Sequence, residues 1–150
     1  LGFLRCRADL EVRGPEGTHV VVRTSDGDTR VSGRVGNVEV QAGDGAVEVV
    51  RTLGTVDVQA TDGDVAVRDV WGDVQVRVSD GRVRVADTVG DVHVRSRDGA
   101  TRVQGVEGDV EVVASDGSGS TMTQLPSRCT TRTPSVVSIV RWPAASTPLA

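Results

Sequence analysis

The sequence predicts an all-β protein, a right-handed parallel β-solenoid whose coils each contain 18 residues and two short strands. The first observation behind this prediction is that Asp-Gly recurs six times at a constant spacing of 18 residues. The second is that Val-x-Val pairs alternate with glycine turns, and the third is that aromatic residues make up only 2% of the chain. A strict internal repeat of this kind indicates a stack of equivalent units.

Each unit is predicted to contain two strands and two turns. After Asp44-Gly45 comes the pair Val47 and Val49, and the next glycine, Gly54, precedes a second pair, Val56 and Val58. β-Branched residues that alternate with polar ones between glycine turns are typical of short, half-buried strands. Thin, closely spaced sheets would leave room in the core for small branched side chains only.

The glycines of the Asp-Gly turns are expected to have positive φ, as at Gly63 and Gly81. Replacement of Gly33 or Gly105 by Val is expected to destabilise the protein less than the same change at Gly63 or Gly81, since other coils place charged residues at the same position. Those residues are Arg51, Asp69 and Asp87.

An antiparallel β-meander is the alternative fold, because Asp-Gly also closes type I′ hairpins and Val78 would then face Val83. Such a sheet would expose one valine face with no second layer to cover it. A solenoid buries its valines between its own two sheets. The right hand is expected because parallel crossovers strongly favour it.

Three segments are predicted along the chain. Residues 1–25 form a degenerate N-terminal coil of the solenoid, and residues 26–117 contain the regular repeats. Residues 118–150 are rich in Ser, Thr and Pro and contain no Asp or Glu. This tail is expected to be disordered or to form a partial cap, with one short strand within 135–141.

Two stretches of sequence resemble a known family. They are DLEVRGPEGTHVVVRTSDGDTRV at Asp9 to Val31 and VGDVHV at Val89 to Val94. They are similar to the bacterial β-strand-repeat "adhesin" domain family, whose function is unknown, and the resemblance covers about residues 5–117. It implies a β-helix-like domain of bacterial, often envelope-associated proteins, without defined catalytic residues.

Two columns of aspartates would lie along the edges of the predicted stack, about 4.8 Å apart within each column. Calcium would relieve their repulsion, but the calcium-binding nonapeptide has several glycines where each half-unit here has one. We therefore expect the carboxylates to accept hydrogen bonds from backbone N–H groups of their own turns. The columns are Asp44, Asp62, Asp80 and Asp98 on one edge, and Asp73, Asp91 and Asp109 on the other.

The sequence assigns no catalytic, cofactor-binding or metal residue. Carboxylates at this spacing resemble the pair of a retaining glycosidase. Every coil would offer the same pair, however, with no cleft and nothing to separate the two pKa values. We predict that the protein is not an enzyme and uses no cofactor.

Single residues add expectations about the surface. Trp71 shares its unit position with Val35, Leu53 and Val89, so it is expected to plug a hydrophobic corner, with a carbohydrate-stacking platform as the alternative. His93 is expected to point into solvent. Arg84 would lie over Arg102 as part of a solvated face.

The charge balance argues against nucleic acid as a partner, because the net charge is −4 and aromatic residues are not interleaved with the arginines. No segment reaches the roughly 18 apolar residues of a membrane span. The predicted function is a non-catalytic structural, adhesion or interaction module that displays flat charged β-faces to an unknown protein or glycan. A calcium-binding β-roll-like module is the alternative, and a polysaccharide-active enzyme is the third hypothesis. A cell-envelope or secreted location is favoured over the cytoplasm, and the open ends of a solenoid also allow end-to-end self-association.

Overall fold

The computed structural model describes residues 9–116, 120–124, 129–132 and 137–141. These residues form strands and turns and contain no helix that could span a membrane. The strands are β1 (Leu10–Arg13), β2 (Val20–Asp26), β3 (Thr29–Val35), β4 (Val38–Asp44), β5 (Val47–Thr52), β6 (Val56–Asp62), β7 (Val65–Trp71), β8 (Val74–Asp80), β9 (Val83–Val89), β10 (Val92–Asp98), β11 (Thr101–Glu107), β12 (Val110–Asp116), β13 (Ser120–Gln124), β14 (Cys129–Arg132) and β15 (Val137–Arg141).

The strands form two sheets that the chain visits alternately. Sheet A contains the eight odd-numbered strands and sheet B the seven even-numbered strands, each in sequence order. Every pairing among the described strands is parallel and joins a strand to the one two places along. The predicted β-solenoid is therefore confirmed and the antiparallel meander is wrong. The right-handed coiling of the solenoid stays a prediction.

The register follows the 18-residue repeat through the central coils. Val65 pairs with Val83, and Val74 pairs with Val92. At the N-terminal end Leu10 pairs with Thr29, 19 residues along, because the Pro15 turn contains an extra residue. The stack therefore keeps a constant period where the sequence repeat is strict.

Valine fills the space between the two sheets. Val49, Val67 and Val85 of sheet A are completely buried, as are Val58 and Val76 of sheet B. Burial of one valine side chain stabilises the fold by about 1.5–3 kcal/mol. Because the layer is one side chain deep from each sheet, the buried valines leave little room for a ligand between the described strands.

A left-handed residue interrupts each central strand of sheet A. Arg51, Asp69 and Asp87 have φ of 62°, 54° and 52°. Gly33 and Gly105 occupy the same position with φ of 121° and 60°. Positive φ at the Asp-Gly turns is confirmed, whereas the smaller effect of substitution expected at Gly33 and Gly105 stays a prediction.

This left-handed residue changes which side chains face the core. In β7 the buried residues are Val65, Val67 and then Val70, so the alternation skips Asp69. A single residue outside the extended region acts as a bulge and shifts the phase of the strand by one position. The residue after Val70, Trp71, consequently faces solvent.

Three strands lie beyond residue 117, where the sequence predicts that the regular repeats end. β13 pairs with β11, β14 with β12, and β15 with β13. Strand stacking therefore continues past 117 in the described part of the tail. The short strand expected within 135–141 is present as β15. Other tail residues lie outside the described ranges.

The core assignment predicts a strong contrast between two adjacent residues. Val67 is completely buried in the middle of the stack, while Ala66 points outward and is partly exposed. Val67→Asp buries an unpaired carboxylate and should cost several kcal/mol, enough to unfold a domain of ordinary stability. Ala66→Asp should be tolerated. Thermal unfolding of the two variants checks the assignment, and equal melting temperatures would contradict it.

The turns predict a second contrast, between Gly81 and Gly105. A Cβ atom on Gly81 would overlap the backbone carbonyl of Gly63 in the preceding coil. A Cβ atom on Gly105 would contact the Asp87 carboxylate at 2.8 Å, and that side chain can rotate away. Gly81→Ala should therefore unfold the stack locally and cost several kcal/mol, while Gly105→Ala should cost about 1–2 kcal/mol, mostly for its left-handed backbone. Chemical denaturation measures both, and an equal loss would refute this account of the turns.

Candidate functional site

The Asp-Gly column brings like charges together at one corner of the stack. Asp62 lies in register between Asp44 and Asp80 on neighbouring coils. Desolvation raises the pKa of the Asp62 carboxyl, and the charges and hydrogen bonds of Asp80 and Asp44 raise it further. No hydrogen bond from a backbone N–H group to these three carboxylates is found, so the expected turn-capping role is not seen here. The column is instead a site of electrostatic repulsion.

The second aspartate column does bond to the backbone. Oδ1 of Asp73 accepts a hydrogen bond from the N–H group of Asp91 at 3.1 Å, and Oδ1 of Asp91 accepts one from Asp109 at 3.0 Å. Asn37 makes the same contact with Thr55 at 3.1 Å. Each side chain therefore caps the turn of the following coil, whereas the sequence predicts that it caps its own. This column ties successive coils together.

Neither column forms a recognisable metal centre. Within the part of the chain that the structure describes, no group of three or more His, Cys, Asp or Glu side chains could hold one ion together. The geometry therefore adds no ligand set in support of the calcium hypothesis.

Trp71 does not plug the corner. Its side chain is 52% exposed, and the buried corner position belongs to Val70. Leu53 and Val89 in the same column are exposed too, so the three residues form a small apolar ridge. The expectation is wrong because the left-handed residue at Asp69 shifts the phase of β7.

His93 lies on the outer surface of sheet B, as predicted. It is in register with Gln75 and Glu111, and its Nδ1 lies 2.9 Å from Oε2 of Glu111. Both side chains are about half exposed, so the pair is a surface contact of small energetic value. It borders the feature that we regard as the candidate site.

The candidate site is a long groove on the outer face of sheet B. One column along it carries long amide and guanidinium side chains, and the adjacent column carries mostly small residues. Two hollows of about 550 and 410 Å³ form the groove and share Gln41 and Ala42. This sheet B groove is lined by Arg23, Gln41, Gln59, Arg77 and Arg95 on the long column and by Ser25, Gly43, Thr61, Ser79 and Arg97 on the adjacent one.

The groove runs along the axis of the stack because equivalent residues of successive coils lie in register. Gln41 pairs with Gln59, Gln59 with Arg77, and Arg77 with Arg95. From β2 to β12 the sheet advances by five strand spacings, about 24 Å at 4.8 Å each. A straight, extended chain would fit this groove better than a compact ligand.

The C-terminal half of the groove is positively charged. Arg77 and Arg95 are direct neighbours on β8 and β10, and Arg97 lies two residues further along β10. None of the three forms an ion pair within residues 9–115, and no carboxylate lines this hollow. Like charges directly opposite one another on paired strands are destabilising. An anion bound between Arg77 and Arg95 would remove this repulsion.

Sequence reasoning missed this groove, although its signal is present in the repeat. Arg77 and Arg95 are 18 residues apart and both lie at outward positions. The prediction that Arg84 lies over Arg102 uses the same rule and is confirmed by the register. What the sequence does not show is that neighbouring small residues open a hollow beside the arginines.

The exposure of Trp71 predicts that its loss is well tolerated. Trp71→Asn should change the free energy of unfolding by about 1 kcal/mol or less, because half of the side chain already contacts water. Val70→Asn, one residue earlier, places an unpaired amide in the core and should cost more than about 2 kcal/mol. Urea denaturation of both variants tests the phase shift. A larger loss of unfolding free energy in Trp71→Asn than in Val70→Asn would show that Trp71 does fill the corner.

The raised pKa of Asp62 predicts a pH dependence with a definite sign. The folded state binds the Asp62 proton more tightly than the unfolded state does, so stability falls as pH rises above 3.8, the ordinary pKa. Asp62→Asn should therefore raise the melting temperature at pH 7, and this gain should disappear well below pH 3.8. Calorimetry of Asp62→Asn and the wild type at pH 7 and well below pH 3.8 measures this gain in melting temperature. A gain of the same size at both would contradict the electrostatic explanation.

Comparison with known proteins identifies the family of the chain. Residues 7–135 match the family model described as Toastrack DUF4097. No curated protein and no solved structure matches the chain significantly. The match confirms the resemblance at the level of a β-repeat family of unknown function, and it extends into the tail. The chain belongs to the Toastrack DUF4097 family.

Proposed function

We propose that this domain is a non-catalytic interaction module that holds an anionic partner in the sheet B groove. We place it in a bacterial envelope or secreted protein, in line with the adhesin-type resemblance of its repeats. The observation that carries the proposal is the in-register pair Arg77 and Arg95, which has Arg97 beside it and forms no ion pair within residues 9–115.

The contrast with other positions on the surface supports this choice. Arg30 lies in register with Glu48, and their side chains approach to 3.4 Å. His93 is similarly matched with Glu111. The repeat therefore allows opposite charges to be paired in register, whereas Arg77 and Arg95 in the groove are in register with each other. Unpaired guanidinium groups in a row are suited to carboxylate, sulfate or phosphate groups, which they bind through paired hydrogen bonds.

An acidic glycan is the partner that the groove favours over a protein. Protein interfaces gain most of their energy from aromatic and aliphatic anchors in pockets, and no aromatic side chain lines this open groove. The lining consists mostly of guanidinium, amide and hydroxyl groups and small residues such as Ala60 and Ser79, with Val78 and Val113 as its larger apolar members. Such groups suit the hydroxyl and carboxylate groups that a glycan presents along its length.

The absence of catalysis is part of the proposal. The aspartate columns lie at the corners, and none of their carboxylates lines the sheet B groove. A glycan in the groove would therefore contact arginines and amides rather than the pair of carboxylates that a glycosidase requires.

Binding to polygalacturonate tests the proposal, with neutral dextran as the control ligand. We expect binding to polygalacturonate that weakens steeply with salt, because screening reduces the attraction between exposed charges. Arg77→Gln combined with Arg95→Gln should weaken binding at least tenfold, since a charge-assisted hydrogen bond contributes about 1.5–3 kcal/mol. Isothermal titration calorimetry measures the affinities.

A charge-matched variant separates the groove from net charge. Arg13→Gln combined with Arg34→Gln removes the same two charges at exposed positions outside the groove and should bind as the wild type does. Equal losses in both double variants would contradict the groove. Tighter binding to polyglutamate than to polygalacturonate would indicate that the partner is an acidic protein and not a glycan.

Calcium binding is a second candidate, favoured by the repulsion along the Asp44, Asp62 and Asp80 column. A bound cation would relieve that repulsion. Melting curves with calcium and with chelator test it. A rise of several degrees in calcium would support the candidate, and an unchanged melting temperature would remove it.

A further inference from the structure

We propose that the domain has a second anion-binding surface on sheet A and links two acidic glycan chains, one on each face of the stack. This inference rests on the proposed function of the sheet B groove. It adds a second site, and it changes the role of the domain from attachment to cross-linking.

The second surface is a hollow of about 440 Å³ on the outer face of sheet A. Arg68, Arg84 and Arg102 line it together with Gln104 and Asp87. None of the three arginines forms an ion pair within residues 9–115. We call this feature the sheet A hollow.

The sheet A hollow repeats the arrangement found in the sheet B groove. Arg84 of β9 pairs in register with Arg102 of β11, as Arg77 of β8 pairs with Arg95 of β10. Each pair of like charges on neighbouring strands is a local cost that an anion between them would remove. Two independent sets of residues therefore point to the same class of ligand.

The two surfaces face in opposite directions at the same height of the stack. β8 and β10 belong to sheet B, and β9 and β11 belong to sheet A. Fully buried valines such as Val76 and Val85 fill the space between the sheets. Stacked sheets are about 10 Å apart. A straight glycan chain cannot occupy both surfaces, so two sites imply two chains.

The two surfaces differ in the acidic residues that line them. Asp87 lines the sheet A hollow, whereas no carboxylate lines the larger hollow of the sheet B groove. Repulsion from this carboxylate should make the sheet A hollow the weaker site. A polymer that offers many acidic groups compensates for a weak site, because the second contact forms at a high effective concentration.

A bridging assay with polygalacturonate tests the inference. Polygalacturonate is immobilised, the full chain is bound to it, and fluorescent polygalacturonate is added afterwards. The wild type should retain the fluorescent chain. A sheet A variant, Arg84→Gln with Arg102→Gln, should still bind the immobilised glycan with an affinity within about threefold of wild type but retain less than a tenth of the fluorescence. Removal of one pair of like charges should not lower stability, and circular dichroism verifies the fold.

Control variants make each outcome decisive. Arg13→Gln with Arg34→Gln removes the same net charge and should bridge normally. Light scattering on the unliganded protein establishes whether a dimer presents two grooves. Undiminished bridging by the sheet A variant would overturn the second site. Failure of the wild type to bind polygalacturonate at all would instead overturn the proposed function.

Discussion

The structure depends on one constraint, the vertical register between successive coils. Each residue of a central coil lies beside the residue 18 positions along, and the backbone of one coil bonds to the next, as Val65 N–H does to the Arg82 carbonyl at 2.8 Å. Because the valine layer is thin, no large core compensates for a lost register. A slip of one residue would exchange the buried and exposed faces of a strand. The close approach of Gly81 to the Gly63 carbonyl shows how little freedom remains.

The same register places equivalent residues of successive coils beside one another in columns. The residue type in each column determines the charge and hydrogen bonding of that part of the surface. Carboxylates that bond to the next backbone N–H group, such as Asp73, strengthen the stack. Carboxylates without such a bond, such as Asp62, repel their neighbours. On the sheet faces the chain pairs Arg30 with Glu48 in one place and Arg77 with Arg95 in another. We interpret the unmatched arginines as the positions where a partner, and not the protein itself, supplies the opposite charge.

Much of the fold could be predicted from the sequence because a strict repeat fixes which residues become neighbours. The two sheets, the buried Val-x-Val pairs and the outward position of His93 all follow from period and alternation. The orientation of Trp71 does not, because the left-handed backbone at Asp69 shifts the phase of β7, and an unbroken alternation of inward and outward residues does not include such a shift. The sheet B groove was missed for a related reason. Its arginines can be aligned by counting, but its depth depends on small neighbours such as Ser79.

Removal of one complete coil tests the central claim most directly. Deletion of residues 46–63 joins Gly45 to Asp64 and leaves every remaining strand in its own sheet. The shortened chain should unfold cooperatively, keep its β-sheet circular dichroism and still bind polygalacturonate through Arg77 and Arg95. Deletion of residues 55–63 would move every later strand to the opposite sheet and should unfold the protein. Loss of fold in the first deletion, or equal tolerance of both, would contradict a stack built on an 18-residue register.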